Sequence, residues 1–440
     1  MRPTKPPVFD PNDERYWDPR DLEQELQRAF TICHGCRMCV GYCPSFPDLF
    51  ARVDGYVERR GEEIEAFDDA DYRAVNDLCY QCKLCYFKCP YTPDEDHPFQ
   101  LDFPRLMLRH RAQRARRDGI PLQDRILGEP QLLGRMGCGL ASGPANFVSE
   151  QRLLRKAQEV VTGISADFLL PPFAKQPLRE WMRRREPAPE GGTKGELALF
   201  STCTVDFNLP AAGRAAVQVL EHQGYSIVFP EEQTCCGMPN LDGGDVEAAT
   251  EKAERNIAAL LPFARAGKRI VVPGPTCSYV IKKDYPELLG GREDALLVAE
   301  QTRDLMEFLR DELRAKALRL DFERGLGEVA YHVPCHLRAQ KVGFPAWQLL
   351  GKIPETRVTR IEECSAVDGT WGMKAQYYEL GRKYAAKLIR EVRAVPYDHI
   401  ATDCPLSGRR LEKELGAPAL HPIELLNLAY GLPPVTEPNP

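Results

Sequence analysis

The sequence predicts a multidomain chain of α plus α/β class: a helical N-terminal part followed by two repeated parallel α/β units. Three observations predict it. A cysteine run occurs twice before residue 91. After residue 195, short apolar strands alternate with helical stretches in two successive rounds. Between these parts lies a stretch punctuated by Pro and Gly. The expected units are 1–118, a helical and Pro/Gly-rich linker over 119–194, a first repeat over 195–327, and a second repeat with its tail over 328–440.

Composition narrows the function. The 440 residues are 43% hydrophobic, enough for several cores. A net charge of −6 argues against a general nucleic-acid binder. Sixteen cysteines in so long a chain fit metal ligands in a reducing compartment, not a secreted disulfide scaffold. The N-terminus has no apolar signal region, and no apolar run reaches the roughly 18 residues needed to span a bilayer. The expectation is a cytoplasmic protein, with any membrane contact peripheral on the inner face or made through a partner.

Asp18-Pro19 reads as a helix start, Asp as N-cap and Pro in the first turn. Leu22, Leu26 and Phe30 give that helix one apolar face and deliver the chain to the first cysteine run. This run is Cys33, Cys36, Cys39 and Cys43, with Pro44 next; the second is Cys79, Cys82, Cys85 and Cys89, with Pro90 next. The spacing is that of bacterial ferredoxins with two [4Fe–4S] clusters, in which the fourth cysteine of each run serves the other cluster. It predicts Cys33, Cys36, Cys39 and Cys89 around one cluster, and Cys79, Cys82, Cys85 and Cys43 around the other. A zinc site or a set of disulfides is disfavoured by two full copies with both prolines. The segment between Cys43 and Cys79 is too long for the compact ferredoxin fold. Its charged helical pattern over Asp54–Ala66, and a second leading into Cys79, predict an α-helical ferredoxin domain. The amides of Gly35, Arg37, Gly41 and Lys83 are candidate donors to the clusters.

Residues 99–119 carry six Arg against two Asp. They read as a solvated helix face or, more sharply, as a basic helix docking an acidic partner or lipid headgroups. In the linker, Pro171, Pro172, Pro177, Pro187, Pro189, Gly191 and Gly192 break regular structure. Cys138 stands alone there as a small buried or free thiol.

The repeat then begins. Residues 196–203 form a short apolar run ending in Cys203, and residues 328–335 do the same and end in Cys335. Each run is followed by a helix, a second strand (from 226 and 356), a cysteine loop, a long helix and a third strand (from 269 and 399). Cys277 and Cys404 follow the third strands. Alternation at this spacing indicates parallel units with cysteines at the carboxyl ends of the strands, where open sheets present their ligands.

In these residues the chain resembles the cysteine-rich domain family of heterodisulfide reductases and related electron-transfer subunits, among them the iron–sulfur C subunit of anaerobic glycerol-3-phosphate dehydrogenases. The family signature is Cys…Cys-Cys-Gly…Cys-x-x-Cys. Residues 102–115, 234–245, 274–289, 331–340, 369–374 and 421–426 carry the resemblance. The first repeat holds Cys203, Cys235, Cys236 and Cys277, with Val280 at the final position. The second holds Cys335, Cys364 and Cys404, with Ser365 and Ser407 where the family has cysteines. Four thiols suffice for a third iron–sulfur or zinc site in the first repeat. Three bind metal only with help from Ser365, Ser407, His332 or His336, so the second repeat reads as a scaffold. The resemblance implies a non-catalytic iron–sulfur subunit that passes electrons from a flavoprotein dehydrogenase toward the quinone pool. A heterodisulfide-reductase-like thiol/disulfide oxidoreductase and a non-redox assembly platform are the alternatives.

Overall fold

The computed structural model describes residues 2–3, 5–187, 191–367 and 369–435. Pro189 of the expected linker and the tail 436–440 lie outside the described residues. The N-terminal part is helical. Asp18 accepts the Arg20 N–H and caps the helix Pro19–Cys36, whose buried face includes Leu22, Leu26 and Phe30. Its last turn carries Cys33 and Cys36. Arg37 follows at φ 53°, and Lys83, its counterpart in the second run, at φ 61°. Both runs are thus curled by a left-handed residue directly after their second cysteine, at a cost of about 1 kcal/mol each.

The helix expected over Asp54–Ala66 is instead Ser45–Arg60, ended by Gly61 at φ 68°, with a separate turn Ile64–Ala66. The charged stretch is only its outer half; Phe46, Leu49, Phe50 and Val53 face the core before it. Asp69–Asp77 then leads into Cys79, opened by a capping box of Asp68 and Asp71.

The basic helix Phe103–Asp118 is neither a solvated face nor a docking surface. It is a spine: four of its six arginines are engaged by the rest of the molecule, and only Arg116 and Arg117 in its last turn are exposed. Arg105 meets Glu287 at 2.7 Å, Arg109 meets Asp21 at 2.9 Å, and Arg114 meets Asp77 at 2.6 Å. Arg111 donates to the Asn76 side chain and to the Asp242 carbonyl, both at 3.1 Å, and also to the Cys79 carbonyl. It therefore ties the second cysteine run to the first repeat.

The two repeats are parallel sheets. The first comprises β1 (Gly195–Leu199), β2 (Tyr225–Val228), β3 (Ile270–Val272) and β4 (Thr302–Asp304), in order β2-β1-β3-β4. The second comprises β5 (Gly327–His332), β6 (Thr356–Ile361), β7 (His399–Thr402) and β8 (Ala419–Leu420), in order β6-β5-β7-β8. Helices cover both faces, so the central strands are near-continuous apolar runs. In each sheet the order reverses beside the first strand. The carboxyl ends of β1 and β3, and of β5 and β7, open the crevice where such sheets bind ligands.

Shared cores join the parts. Leu199, Val219 and Val271 of the first repeat pack in one cluster with Val329, Tyr331 and Ile423 of the second. Ala366, Trp371 and Ala385 of the second pack with Phe30, Phe46 and Leu106 of the N-terminal helices. Tyr16 and Ala112 pack with Phe200, Val272 and Tyr285 of the first repeat.

One cap gives the fold a pH dependence. His421 opens the helix Pro422–Ala429, and its Nδ1 accepts the Ile423 N–H at 3.1 Å. Burial pushes its pKa down to about 3. The unfolded chain takes up this proton near 6.5, so the stability is complete above that pH and is lost as pH falls through the window toward 3. Going from about pH 7.5 to 5.5 should cost about 1 kcal/mol at this site. His421→Asn keeps an acceptor but does not titrate, so its unfolding midpoint should fall less over that interval; a parallel fall contradicts the assignment.

Candidate functional site

All sixteen cysteines are in the reduced, thiol form. Eight of them form two adjacent groups. Burial raises the Cys33 pKa, and so, in turn, do Cys39, Cys89 and Cys36. Cys39 is pushed up to about 12 by burial, then by Cys89 and Cys36. Three members of this group come from the first run and the fourth from the second. In the other group, burial and then Cys79 raise Cys43, while burial, Cys82 and Cys79 raise Cys85. Cys39 also acts on Cys85, which sets the groups side by side. In each group, thiols of one run thus stand beside the last thiol of the other.

These thiols suit a multi-iron group. Out of water, each ionised sulfur raises the pKa of the next, so the sets stay protonated until a cationic core replaces their protons. Among the described residues, no three His, Cys, Asp or Glu side chains are grouped as ligands of a single metal ion. Four thiolates around one zinc at ~2.3 Å would lie about 3.8 Å apart; a multi-iron core holds its thiolates further apart. Donors to sulfur are in place. The Ser45 and Phe46 amides reach Cys43, the Gln81 side chain reaches Cys79 at 3.5 Å, and the Tyr91 amide reaches Cys89 at 3.4 Å. Of the amides expected in this role, the Arg37 N–H instead caps the first helix on the Cys33 carbonyl at 2.8 Å.

The first repeat assembles its own four thiols at the carboxyl ends of β1, β2 and β3. Side-chain hydrogen bonds run from Cys203 to Cys235, on to Cys236, and on to Cys277. They hold the Cys235 pKa well down, helped by the Gly237 N–H at 3.5 Å, and push Cys203 and Cys236 up. A buried cradle fixes the loop. Gln131 accepts the Cys235 N–H at 3.0 Å, Asn256 donates to the Cys235 carbonyl at 3.1 Å, and Tyr285 donates to the Cys236 carbonyl at 3.0 Å. Gly237 is required twice over: φ is 88°, and a Cβ there would stand 3.3 Å from the Ala249 backbone.

Over these thiols opens a cavity of about 320 Å³. The four cysteines form one wall; Thr370 and Cys404 of the second repeat, and Leu133 and Phe173 of the linker, form others. Sequence reasoning missed both Gln131 and the linker's part in this wall, because nothing in residues 120–194 signals chemistry. Cys138 is structural, donating to the Phe207 carbonyl at 3.0 Å.

The second repeat keeps the shape of the site with different chemistry. Cys364 and Cys335 pack at the edge of the N-terminal core, while Cys404 faces the cavity. The Cys364 sulfur lies 3.2 Å from the Ala366 N–H and 3.3 Å from the Tyr80 hydroxyl. Ala366 stands where the first repeat has Gly237 and keeps the left-handed backbone, at φ 48°. Ser365 and Ser407, the two departures from the family pattern, are hydrogen-bonded to each other at 2.8 Å in the interior. The side chains that could have supplemented the three thiols are therefore engaged elsewhere. His332 lies between the Thr402 hydroxyl at 2.9 Å and the Glu363 carbonyl at 3.1 Å. His336 lies between the Thr276 hydroxyl and the Gln81 carbonyl, both at 2.9 Å. A carbonyl only accepts, so in each ring Nε2 carries the proton and Nδ1 accepts.

The helical thiol pair and the two strand-end sites define an iron–sulfur protein of the electron-transport, oxidoreductase class. Residues 26–117 match the citrate utilization protein B Fer4-like domain, and residues 197–282 and 329–407 each match the cysteine-rich domain, CCG. The C subunit of the anaerobic glycerol-3-phosphate dehydrogenase of Escherichia coli K12 is 26% identical over 315 residues, covering 69% of this chain and 76% of the relative. Lactate utilization protein A of Anoxybacillus flavithermus is 31% identical over 245 residues, covering 52% of this chain and 98% of the relative. The B subunit of the fumarate reductase (CoM/CoB) of Methanothermobacter marburgensis is 30% identical, covering 53% of this chain and 46% of the relative. The chain belongs to this family of cysteine-rich, CCG-domain proteins.

The serine pair is open to a double-mutant cycle. Ser365→Ala and Ser407→Ala should each destabilise by about 1 kcal/mol, and the double variant by about 1 kcal/mol less than their sum, because each single change strands a buried hydroxyl. Additive shifts in the urea unfolding midpoint contradict the pairing.

Proposed function

We propose that the chain is an electron-transfer subunit that takes electrons from a flavin-dependent dehydrogenase and passes them toward a quinone. The observation that carries this reading is the convergence of eight thiols from two separate runs into two adjacent groups. Cys33, Cys36, Cys39 and Cys89 would hold one [4Fe–4S] cluster, and Cys79, Cys82, Cys85 and Cys43 the other. Cys203, Cys235, Cys236 and Cys277 would hold a third iron–sulfur centre. Bound there, such groups supply one-electron carriers whose potentials follow hydrogen bonding and exposure. No catalytic residue is assigned.

The chain's own residues supply entry, path and insulation. Met38 and Val40, 51% and 52% exposed beside the first group, offer a partner its entry point. From the second group a hydrogen-bonded route runs from the Gln81 carbonyl through His336 to Thr276, the neighbour of Cys277. His336 is held neutral, its pKa pushed down to about 4 by burial and then by the Lys83 charge. It bridges the groups without titrating in the working range. Tyr80 links the second group to Cys364 in the same way. The names of the relatives, glycerol-3-phosphate dehydrogenase and lactate utilization protein, point to a partner that oxidises a small hydroxylated acid or phosphate.

One observation favours a second reading, a thiol/disulfide oxidoreductase: the depressed pKa of Cys235 beside the cavity gives that sulfur thiolate character. A metal-centre spectrum that shifts when a disulfide is added would support it. The relay reading predicts about twelve irons per chain after anaerobic preparation, falling to about eight in Cys277→Ser. About eight in the native chain contradicts the third centre, and none contradicts the relay. Ser365→Cys with Ser407→Cys should gain iron if the second site has lost only its ligands; unchanged iron means its shape is lost as well.

A further inference from the structure

The linker helices are turned inside out. In Pro130–Gly137, Gln131, Gly134 and Gly137 are buried, while Leu132, Leu133 and Met136 are exposed. The inward face is small of necessity, because a Cβ at Gly134 would stand 2.4 Å from the Phe207 ring and one at Gly137 2.6 Å from the Phe173 ring. The next helix, Ser142–Glu150, buries Ser142 and exposes Phe147 and Val148. In Arg152–Thr162 the inversion is complete. Arg155 is the buried residue, its guanidinium bonded to the Ser165 and Phe168 carbonyls, while Leu153 and Val160 are 85% and 87% exposed. Of the eighteen large hydrophobic residues exposed among the described residues, eleven fall within 122–161. A water-facing surface does not concentrate apolar side chains in this way, and contiguous patches of this kind mark docking sites.

We propose that this face seats on an anionic lipid bilayer. Two further observations choose lipid over another protein. The exposed charges of the segment are Arg125, Arg135, Arg152 and Lys156 against Glu150 alone, on a chain whose net charge is −6. The other acids are each paired with a lysine: Asp124 with Lys374, Glu129 with Lys252 and Glu159 with Lys156. Apolar side chains ringed by basic ones are the pattern of interfacial helices, which sink into the headgroup boundary and are drawn by anionic lipid. The second observation is the cavity. Leu133 belongs both to the exposed face and to the wall above the four first-repeat thiols, and Ile126, Pro130 and Ile164 complete that side. Docked, the face would turn this opening toward the acyl chains. That a quinone enters there rests on the relay reading; the docking itself does not.

The test uses the full chain, prepared anaerobically, and sedimentation with vesicles of phosphatidylglycerol and phosphatidylcholine at about one to two, or of phosphatidylcholine alone. The native chain should bind the anionic vesicles about tenfold or more tighter than the neutral ones. Leu132→Asp with Leu153→Asp and Val160→Asp should reduce binding at least about tenfold at unchanged iron content and circular dichroism. These positions are exposed, so the fold should tolerate the change. Arg135→Glu with Arg152→Glu and Lys156→Glu should abolish the preference for anionic lipid. Native chain left in the supernatant with both vesicle types overturns the proposal, as does binding that the Asp variant retains. A native dimer that the Asp variant converts to monomer, without vesicle binding, assigns the face to a second copy. Vesicle binding by an iron-free chain would leave docking standing and sink the relay; full iron without vesicle binding would do the reverse.

Discussion

Thiols packed together out of water cannot ionise on their own. Each sulfur that loses its proton opposes the next, and burial opposes them all. In this chain the constraint recurs at Cys33, Cys39, Cys43 and Cys85, whose pKa values all rise; in the first repeat, hydrogen bonds to Cys235 instead raise Cys203 and Cys236 and lower Cys235. Such groups persist only if the fold holds them together against repulsion and a cationic core lifts the penalty. Much of the surrounding structure meets the first demand. Left-handed Arg37 and Lys83 curl the two runs, and the basic spine Phe103–Asp118 locks the second run through Arg111. The Gln131, Asn256 and Tyr285 cradle does the same for Cys235 and Cys236.

The same constraint accounts for the second repeat. Where two more thiols would add to that penalty, the second repeat carries Ser365 and Ser407, whose mutual hydrogen bond satisfies their buried hydroxyls. The backbone is retained even where it is strained, since Ala366 keeps the conformation that Gly237 adopts freely. His336 turns that retained frame to use. It sits beside Cys335, yet its two nitrogens join Gln81 of the second cysteine run to Thr276 of the first repeat. The half with fewest thiols is thereby the part that holds the other two in register.

The eight N-terminal cysteines, the helix Pro19–Cys36 and the first three strands of each repeat are legible in the chain, because ligand spacing, an Asp-Pro start and short apolar runs are local signals. β4 and β8 are not: they are three and two residues long, and pairing alone makes them strands. The helix Ser45–Arg60 reads too late from sequence because its buried half precedes its charged half. The basic spine misleads because four of its six arginines resemble a solvent face until their partners, among them Glu287, Asp21 and Asp77, arrive from elsewhere in sequence. The linker's inside-out helices show ordinary apolar periodicity; only the packing of Gly134 on Phe207 and the burial of Arg155 reveal which side faces out.

The central claim is that the eight N-terminal thiols hold two neighbouring clusters through which electrons pass. The electron paramagnetic resonance spectrum of the anaerobically prepared, dithionite-reduced chain tests it most directly. Two reduced clusters side by side should give a spectrum broadened by spin–spin coupling, and the coupling between them should be lost in Cys89→Ser. A native spectrum with one magnetically isolated signal, or with none, contradicts the claim.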